Sequence, residues 1–381
     1  MDYSEKVMKG EVNMKGTLKN NSIFKFIIVV LLPVLAVIIC HNAMPSYYSM
    51  MISLFLINVI LTASLNLTNG FTGIFNIGQA GFMAIGAYIS SLLTMEPNIK
   101  AARISGLPQW IANIHIPFPA AIIIAGVIAM LIAMIIGFPV LRARGDYLSV
   151  ITLGLVIIIK AVIDNNPQIT NGSKGLGGIK GYATLPVIFI VTILVLFILY
   201  RIMKSSFGRN MIAIRDDEPA AVSLGINVTR YRLLSFMISA FFGAIGGGLW
   251  AHLYKSIAPS FFYFNESFNI VEMSVLGGMA TLSGAIPGAL IVTFLPQFLA
   301  NLESGFTIFG ATVPPLYGLS NIIMSLIFIL VIIFKRTGIT GNSDYIVNSM
   351  FDKNTYIGLF KKQTWVDMGN IVKSMFSHKK I

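Results

Sequence analysis

The sequence predicts an all-α, polytopic integral membrane protein with about 8–10 transmembrane helices and a glycine-rich broken or re-entrant segment. Composition is the first reason: of 381 residues, 56% are hydrophobic and 11% are charged, whereas about 25% of the residues of a soluble domain are charged. The mean hydropathy of +0.80 agrees. In addition, the apolar residues form separate stretches close to the roughly 20 residues that a membrane-crossing helix needs.

The charge and cysteine content exclude several other classes of protein. The net charge is +12, but the 27 lysines and arginines lie between the apolar stretches, a distribution typical of positive-inside loops. We therefore expect no nucleic-acid partner. A lone Cys40 permits no internal disulfide, and no Cys/His cluster indicates a metal site. We expect no cofactor in this chain.

The chain begins with a basic segment, residues 1–22, followed by an apolar run at residues 23–40. A secretory signal has this order, but no small-x-small cleavage pattern follows closely, and Ile39 is too large for a lipoprotein-type site. We interpret the run as an uncleaved first span that starts in the cytoplasm.

Further apolar stretches are predicted to cross the membrane at residues 47–67, 71–94, 118–141, 147–163, 185–203, 233–253 and 316–334. With residues 1–22 in the cytoplasm, the loops on that side contain most of the arginines. This bias predicts that both termini are cytoplasmic. The transmembrane domain then covers residues 23–336. The tail, residues 337–381, is either a basic amphipathic helix on the membrane surface or a flexible extension.

The segment 268–300 must return to the side from which it came, because the last span has to finish in the cytoplasm. Gly277, Gly278 and Gly284 interrupt it. It is therefore either two closely joined spans, near 268–279 and 283–299, or a re-entrant loop. Broken backbone at membrane depth is tolerated only inside protein or against a water-filled cavity. Glu272, the carboxylate within this apolar stretch, is a candidate pathway residue.

The stretch 69–88 is the most distinctive intramembrane sequence. Four of its glycines allow neighbouring helices to approach closely; they are Gly73, Gly78, Gly81 and Gly86. Asn76 and Gln79 need hydrogen-bond partners in an apolar setting. They either line a translocation pathway or tie helices together.

The longest charged interruption between apolar segments is residues 207–232. Within it, residues 218–225 are predicted to form a short helix, with Glu218 in the first turn, Pro219 at position N1 and Gly225 at the C-cap. The composition alone favours an ordinary solvated loop between membrane spans.

The order Glu218, Ala220, Ala221, Gly225 resembles the coupling loop of ABC importer permeases, and the longer string 213–228 is similar to the branched-chain amino acid permease family, LivM-type. Residues 69–88, 142–147, 170–178 and 276–284 resemble other motifs of that family, in the same order. Asn76 and Gln79 depart from the family pattern, which bears on the substrate. The resemblance implies that residues 207–230, here named the coupling loop, dock on an ATPase through Arg215, Asp217, Glu218, Ala220, Ala221 and Gly225.

The resemblance further implies a permease subunit of an ATP-driven importer for leucine, isoleucine and valine in a bacterial inner membrane. Implied partners are ATP-binding cassette subunits, a second permease subunit that is LivH-type or another copy of this chain, and an extracytoplasmic solute-binding protein that docks at residues 170–178. Related permeases for urea, short amides or sugars are the alternative. An ion-coupled secondary transporter would need more intramembrane ionisable groups than Glu272, and no catalytic constellation indicates an enzyme.

Overall fold

A computed structural model describes residues 45–104, 106–141, 147–303, 306–308, 311–313, 318–335 and 337–341. The predicted first span at 23–40, residues 142–146 of the turn motif and the tail from 342 onward lie outside the described residues. The predictions made for those segments stay predictions.

The described residues confirm the all-α, multi-pass fold class. Five helices are long and apolar enough to cross a membrane, counting α1 together with the π-helical turn that follows it, and two shorter apolar helices follow them. The longer helices, numbered in chain order with the short ones below, are α1 Ser46–Asn66, α2 Gln79–Thr94, α5 Phe118–Val140, α6 Tyr147–Asp164, α8 Leu185–Lys204, α11 Val228–Tyr254, α12 Phe264–Gly277, α13 Ala285–Glu303 and α14 Leu319–Phe334.

Short elements connect these helices. They are α3 Pro97–Arg103, α4 Gln109–Ala112, α7 Pro167–Thr170, α9 Ser206–Asp216 and α10 Glu218–Ser223, with strands β1 Leu176–Gly177, β2 Ser256–Ile257, β3 Phe306–Ile308 and β4 Ala311–Val313. The strands form two antiparallel pairs, β1 with β2 and β3 with β4. Helices α9 and α10 lie within the coupling loop and define the coupling-loop end of the bundle, whereas β1 and β2 lie at the opposite end.

Helix α11 packs against α1, α2 and α5 and forms the centre of the described bundle. It crosses α2 at glycines: a Cβ atom on Gly247 would lie 1.9 Å from the Met83 carbonyl oxygen, and one on Gly86 would lie 2.0 Å from the Ala244 carbonyl oxygen. Two helix backbones can approach this closely only where side chains are absent, as is common between membrane helices. The packing role predicted for Gly86 is thereby confirmed.

Helix α5 has two faces that suit a lipid environment. Small residues recur every fourth position and are buried in the bundle: Ala121, Ala125, Ala129, Ala133 and Gly137. Large apolar residues recur on the other side and are exposed: Ile123, Val127, Leu131 and Ile135. Because lipid tails are as apolar as leucine, small residues mark helix contacts in a membrane and large ones face lipid or a partner.

The span predicted at 71–94 is wrong at its start, because α2 begins only at Gln79. Helix α1 ends in a π-helical turn, Leu67–Phe71, and residues 72–78 are not helical. Gly73, with φ of +73°, sits in this first break and does not serve helix packing as predicted. Helix α11 begins at Val228 rather than at residue 233, because the Asn227 side chain accepts a hydrogen bond from the Arg230 amide.

The second break, between α12 and α13, confirms the predicted interruption at Gly277–Gly278 and Gly284. Gly278 has φ of +119°, and a Cβ atom on Gly277 would lie 1.8 Å from the Gly284 carbonyl oxygen. The chain therefore enters the bundle along α12, turns tightly at the coupling-loop end and returns along α13.

Candidate coupling site and translocation pathway

Helix α10 is the predicted short helix of the coupling loop, and its first turn is capped. The Asp217 carboxylate accepts a hydrogen bond from the Ala220 amide at 3.0 Å, which satisfies one of the free amides at the start of a helix. The helix begins at Glu218, so Pro219 occupies the second position rather than the first.

The end of α10 closes with a left-handed glycine. Gly225 has φ of +79°; its amide donates to the Val222 carbonyl at 2.9 Å, and the Ile226 amide donates to the Ala221 carbonyl at 3.1 Å. This pair of bonds is the Schellman arrangement, which satisfies the free carbonyls of the last turn. The helix end predicted at Gly225 is therefore present, with Gly225 one residue beyond the C-cap.

Two contacts hold α10 against the transmembrane bundle. Ala221 is buried in a small apolar cluster with Ile214 and Val228, against which Ile226 packs. The Glu218 carboxylate pairs with the Arg232 guanidinium through two hydrogen bonds, of 2.7 and 3.3 Å. A two-bond pair of this kind fixes orientation as well as distance, so α10 is tied to the N-terminal end of α11.

The outward face of α10 is apolar. Val222 is 57% exposed and Leu224 is 79% exposed, and Ala220 is exposed beside them. Sequence reasoning missed Val222 and Leu224, because the family motif directed attention to the charged and small residues. The signal that could have identified them is two large apolar side chains beside the small and charged residues of the predicted helix.

Arg215 points into the bundle rather than away from it. Its Nη1 donates to the Gly70 carbonyl at 2.9 Å, and its Nε and Nη2 both donate to Asp216 Oδ1, at 2.9 and 2.8 Å. Gly70 belongs to the π-helical turn that ends α1. The coupling loop and the first break are therefore in direct contact.

Side chains replace the helical hydrogen bonds that the first break lacks. The Asn69 side chain accepts from the Asn76 amide at 2.9 Å and donates to the Asn76 carbonyl at 3.1 Å. The Asn76 side chain accepts from the Gly78 amide at 2.7 Å, and the Thr152 hydroxyl accepts from the Ile77 amide at 3.1 Å. Asn69 and Thr152 were not among the predicted site residues, although backbone satisfaction at membrane depth requires such donors and acceptors.

Gln79 joins three helices at the start of α2. Its Nε2 donates to Ser64 Oγ of α1 at 2.7 Å and to the Ser239 carbonyl of α11 at 3.2 Å, while Ser239 Oγ donates to its Oε1 at 3.2 Å. Gln79 and Asn76 are both fully buried. Of these two amides, only that of Asn76 has a nitrogen, Nδ2, without a partner among the described residues, which leaves a donor for an incoming polar group.

The two breaks meet at the coupling-loop end. A Cβ atom on Gly70 would lie 1.6 Å from the Met279 carbonyl oxygen, so the two backbones touch there. The Asn66 side chain bridges them, accepting from Ser274 Oγ at 2.5 Å and donating to the Thr281 carbonyl at 2.8 Å. Glu272, the third predicted pathway residue, is half-buried on α12 and makes no hydrogen bond or ion pair with another described residue.

A groove of about 590 Å³ lies at the opposite end, between α3, the β1–β2 pair and the loop before β1. Arg103 and Lys174 line it, beside Gly175 of the predicted outer loop. Nearby, the buried Lys100 ammonium donates to the Ile111 carbonyl at 3.1 Å, and burial lowers the pKa of Lys100. The groove is basic and contains glycine backbone, so it can receive a carboxylate.

Comparison with known proteins places this architecture in a family. A family model described as "Branched-chain amino acid transport system / permease component" matches residues 47–334, which spans nearly all of the described residues. The chain belongs to this permease family. It is a multi-pass membrane protein, and the interrupted helices and coupling loop lie inside the matched region.

Individual relatives within the permease family differ in their substrates. The high-affinity branched-chain amino acid permease protein LivM of Salmonella typhimurium is 31% identical over 282 residues, which cover 65% of this chain and 62% of LivM. LivH from the same organism is 27% identical, over 58% of this chain and 75% of LivH. The guanosine ABC transporter permease protein NupQ of Bacillus subtilis is 27% identical, over 75% of this chain and 89% of NupQ. No solved structure matched the chain.

Substitution of the two amides separates pathway lining from helix packing. We expect Asn76→Leu and Gln79→Leu to reduce uptake if the amides line a pathway. Gln79→Leu should also lower the melting temperature, because it removes the bonds to Ser64 and Ser239 and leaves the buried Ser239 hydroxyl without its acceptor, at a cost of about 1–3 kcal/mol. Uptake would be measured alongside thermal unfolding of the purified protein. Normal assembly and transport in both variants would show that the stretch serves packing only.

Proposed function

We propose that this chain is the permease subunit of an ATP-driven ABC importer for leucine, isoleucine and valine. The observation that carries the proposal is α10: a short helix, closed at both ends, that presents Val222 and Leu224 outward from a chain of the branched-chain amino acid permease family. An exposed apolar pair at the end of a short, capped helix suits insertion into a groove of another protein. No step of ATP hydrolysis is assigned to this chain.

The proposed pathway runs through the paired breaks. Interrupted helices place free backbone groups and polar side chains at membrane depth, which is how transporters build substrate sites. Asn76, Gln79 and Glu272 remain the candidate pathway residues, and Asn76 Nδ2 is a buried donor without a described partner.

Three partners complete the proposed importer. An ATPase subunit binds the outward face of α10. A second, LivH-type permease is supported by the similarity of this chain to two different permease proteins of one organism, LivM and LivH. An extracytoplasmic solute-binding protein docks at the groove lined by Arg103 and Lys174, where its acidic side chains would meet two cations.

We propose that the coupling loop and both chain termini lie in the cytoplasm. Thr340, beyond α14, donates through its hydroxyl to the Gly277 carbonyl at 2.7 Å. The described residues that follow α14, up to residue 341, therefore lie at the same end as the coupling loop, which supports the charge bias of the loops.

Cysteine labelling tests this orientation. In a background without Cys40, single cysteines at Ser22, Ser173, Ser206 and Ser343 are exposed to a membrane-impermeant thiol reagent in intact cells. Ser173 and Ser206 are both exposed, and they lie at opposite ends. We expect only the Ser173 position to label; labelling at Ser206 would contradict the orientation.

The substrate is tested by ligand binding to the cognate solute-binding protein, followed by uptake in proteoliposomes that contain the whole complex. We expect binding and ATP-dependent uptake of leucine, isoleucine or valine, and co-purification of an ATPase. Guanosine is the second candidate, because NupQ aligns over most of its own length. Uptake driven by an ion gradient without an ATPase would contradict the proposal.

A further inference from the structure

We infer that Arg215 links the coupling loop to the interrupted helices, and that it acts as a positioning residue for transport rather than as a docking residue for the ATPase. The inference rests on the proposed function. It differs from the expectation that Arg215 contacts the ATPase, because the guanidinium is directed toward the bundle.

Arg215 lies in the last turn of α9, two residues before Asp217, which caps α10. Its Nη1 reaches the Gly70 carbonyl at 2.9 Å, and Asp216 Oδ1 holds Nε and Nη2 on the other side of the guanidinium. With its side chain 30% exposed, Arg215 is anchored at both ends.

Gly70 lies in the turn that ends α1, where carbonyls lack helical donors and carry the negative end of the helix dipole. A guanidinium is a strong, always charged donor for such a group. A second contact, from Thr72 Oγ1 to Met211 Sδ at 3.4 Å, joins the same break to α9.

On the side away from Arg215, the Cα of Gly70 packs directly on the Met279 carbonyl of the second break. A movement of α9 that carries Gly70 must therefore also move the second break or open a gap beside it. No apolar side chain lies between these backbones to absorb the movement. The Arg215 hydrogen bond therefore connects α9 to Gly70 of the first break. The contact between Gly70 and Met279 extends this connection to the second break.

The test compares Arg215→Gln with Arg209→Gln in the complete complex. Arg209 is an exposed arginine of the same loop, and its guanidinium bonds only to the Lys204 carbonyl and Ser206 Oγ among the described residues. Three quantities are measured: ATPase co-purification, ATP hydrolysis with and without leucine-loaded solute-binding protein, and [³H]leucine uptake in proteoliposomes.

We expect Arg215→Gln to retain the ATPase and its basal hydrolysis, while uptake and stimulation of hydrolysis fall about ten-fold, within the usual range of coupling between sites. Arg215→Lys keeps the positive charge but lacks the planar guanidinium that bonds to Gly70 and Asp216 at once, and it should restore part of the uptake. Arg209→Gln should behave as wild type. A general structural defect would lower basal hydrolysis as well.

Two results would overturn the inference. Full uptake in Arg215→Gln would show that the link is dispensable, and selective loss of the ATPase in this variant would show that Arg215 is a docking residue. Failure of the proposed function gives a different pattern, because the wild-type chain itself would then co-purify with no ATPase.

Discussion

Replacement of Gly247 by alanine is expected to prevent normal assembly of the transmembrane bundle. The added methyl group would lie 1.9 Å from the Met83 carbonyl oxygen, whereas ordinary contact begins near 3.4 Å. Helices α2 and α11 would have to separate along their closest crossing, which disturbs the Phe82–Phe236 ring contact and the Gln79 bonds beside it. Overpacking of this kind costs more than about 3 kcal/mol where neither backbone can yield.

Gly154→Ala in α6 is the matched control, because nothing lies within 4 Å of the position that its Cβ would occupy. Alanine is favoured over glycine within a helix by about 1 kcal/mol, so this variant should be as stable as wild type or slightly more so. Membrane level and thermal unfolding in detergent measure both variants. Equal melting temperatures for Gly247→Ala and wild type would contradict the crossing described above.

Replacement of Gly225 by valine is expected to abolish transport while leaving the protein inserted in the membrane. The left-handed φ of +79° at this residue costs an ordinary residue about 1–2 kcal/mol and a β-branched residue more. Apart from the two neighbouring residues, no atom lies within 4 Å of the added Cβ, so the strain is confined to the local backbone. Relief of that strain breaks the Ile226–Ala221 hydrogen bond and misplaces Leu224, so we expect ATPase co-purification and uptake to be lost together.

Gly225→Asn is the control, because asparagine tolerates the left-handed conformation better than other residues with a side chain. It should retain most of the ATPase. Glu218→Lys provides an independent variant: it breaks the pair with Arg232 and places a positive charge at the start of a helix, where the dipole disfavours it. Full ATPase binding and uptake in both Gly225→Val and Glu218→Lys would show that this loop is not the coupling element.

The positions of most membrane helices follow from composition and hydropathy. The predicted spans at 118–141, 147–163 and 185–203 agree closely with α5, α6 and α8, because a helix that satisfies its own backbone is the only regular way for a single apolar stretch to cross lipid. The break at Gly277–Gly278 was also predictable, since glycine pairs in an apolar run weaken a helix locally.

The sequence predicted the form of α10 for the same local reason. Asp217 and Gly225 act on backbone groups within a few residues of themselves, so the beginning and end of the helix do not depend on the rest of the chain. Local rules also suggested that the amides Asn76 and Gln79 need partners.

Which groups became those partners depended on the tertiary structure. The first break was missed because the span at 71–94 is apolar enough to read as one helix, and Asn69 and Thr152 stabilise the break through contacts at separations of 7 and 75 residues. Arg215 likewise could be placed in the coupling loop from sequence, but its acceptor on Gly70 lies 145 residues away. Hydropathy and capping patterns depend on residues within a few positions of each other, so they can be read from the sequence. The direction of a long, flexible charged side chain depends on which distant carbonyl lacks a donor, and only the tertiary structure decides that.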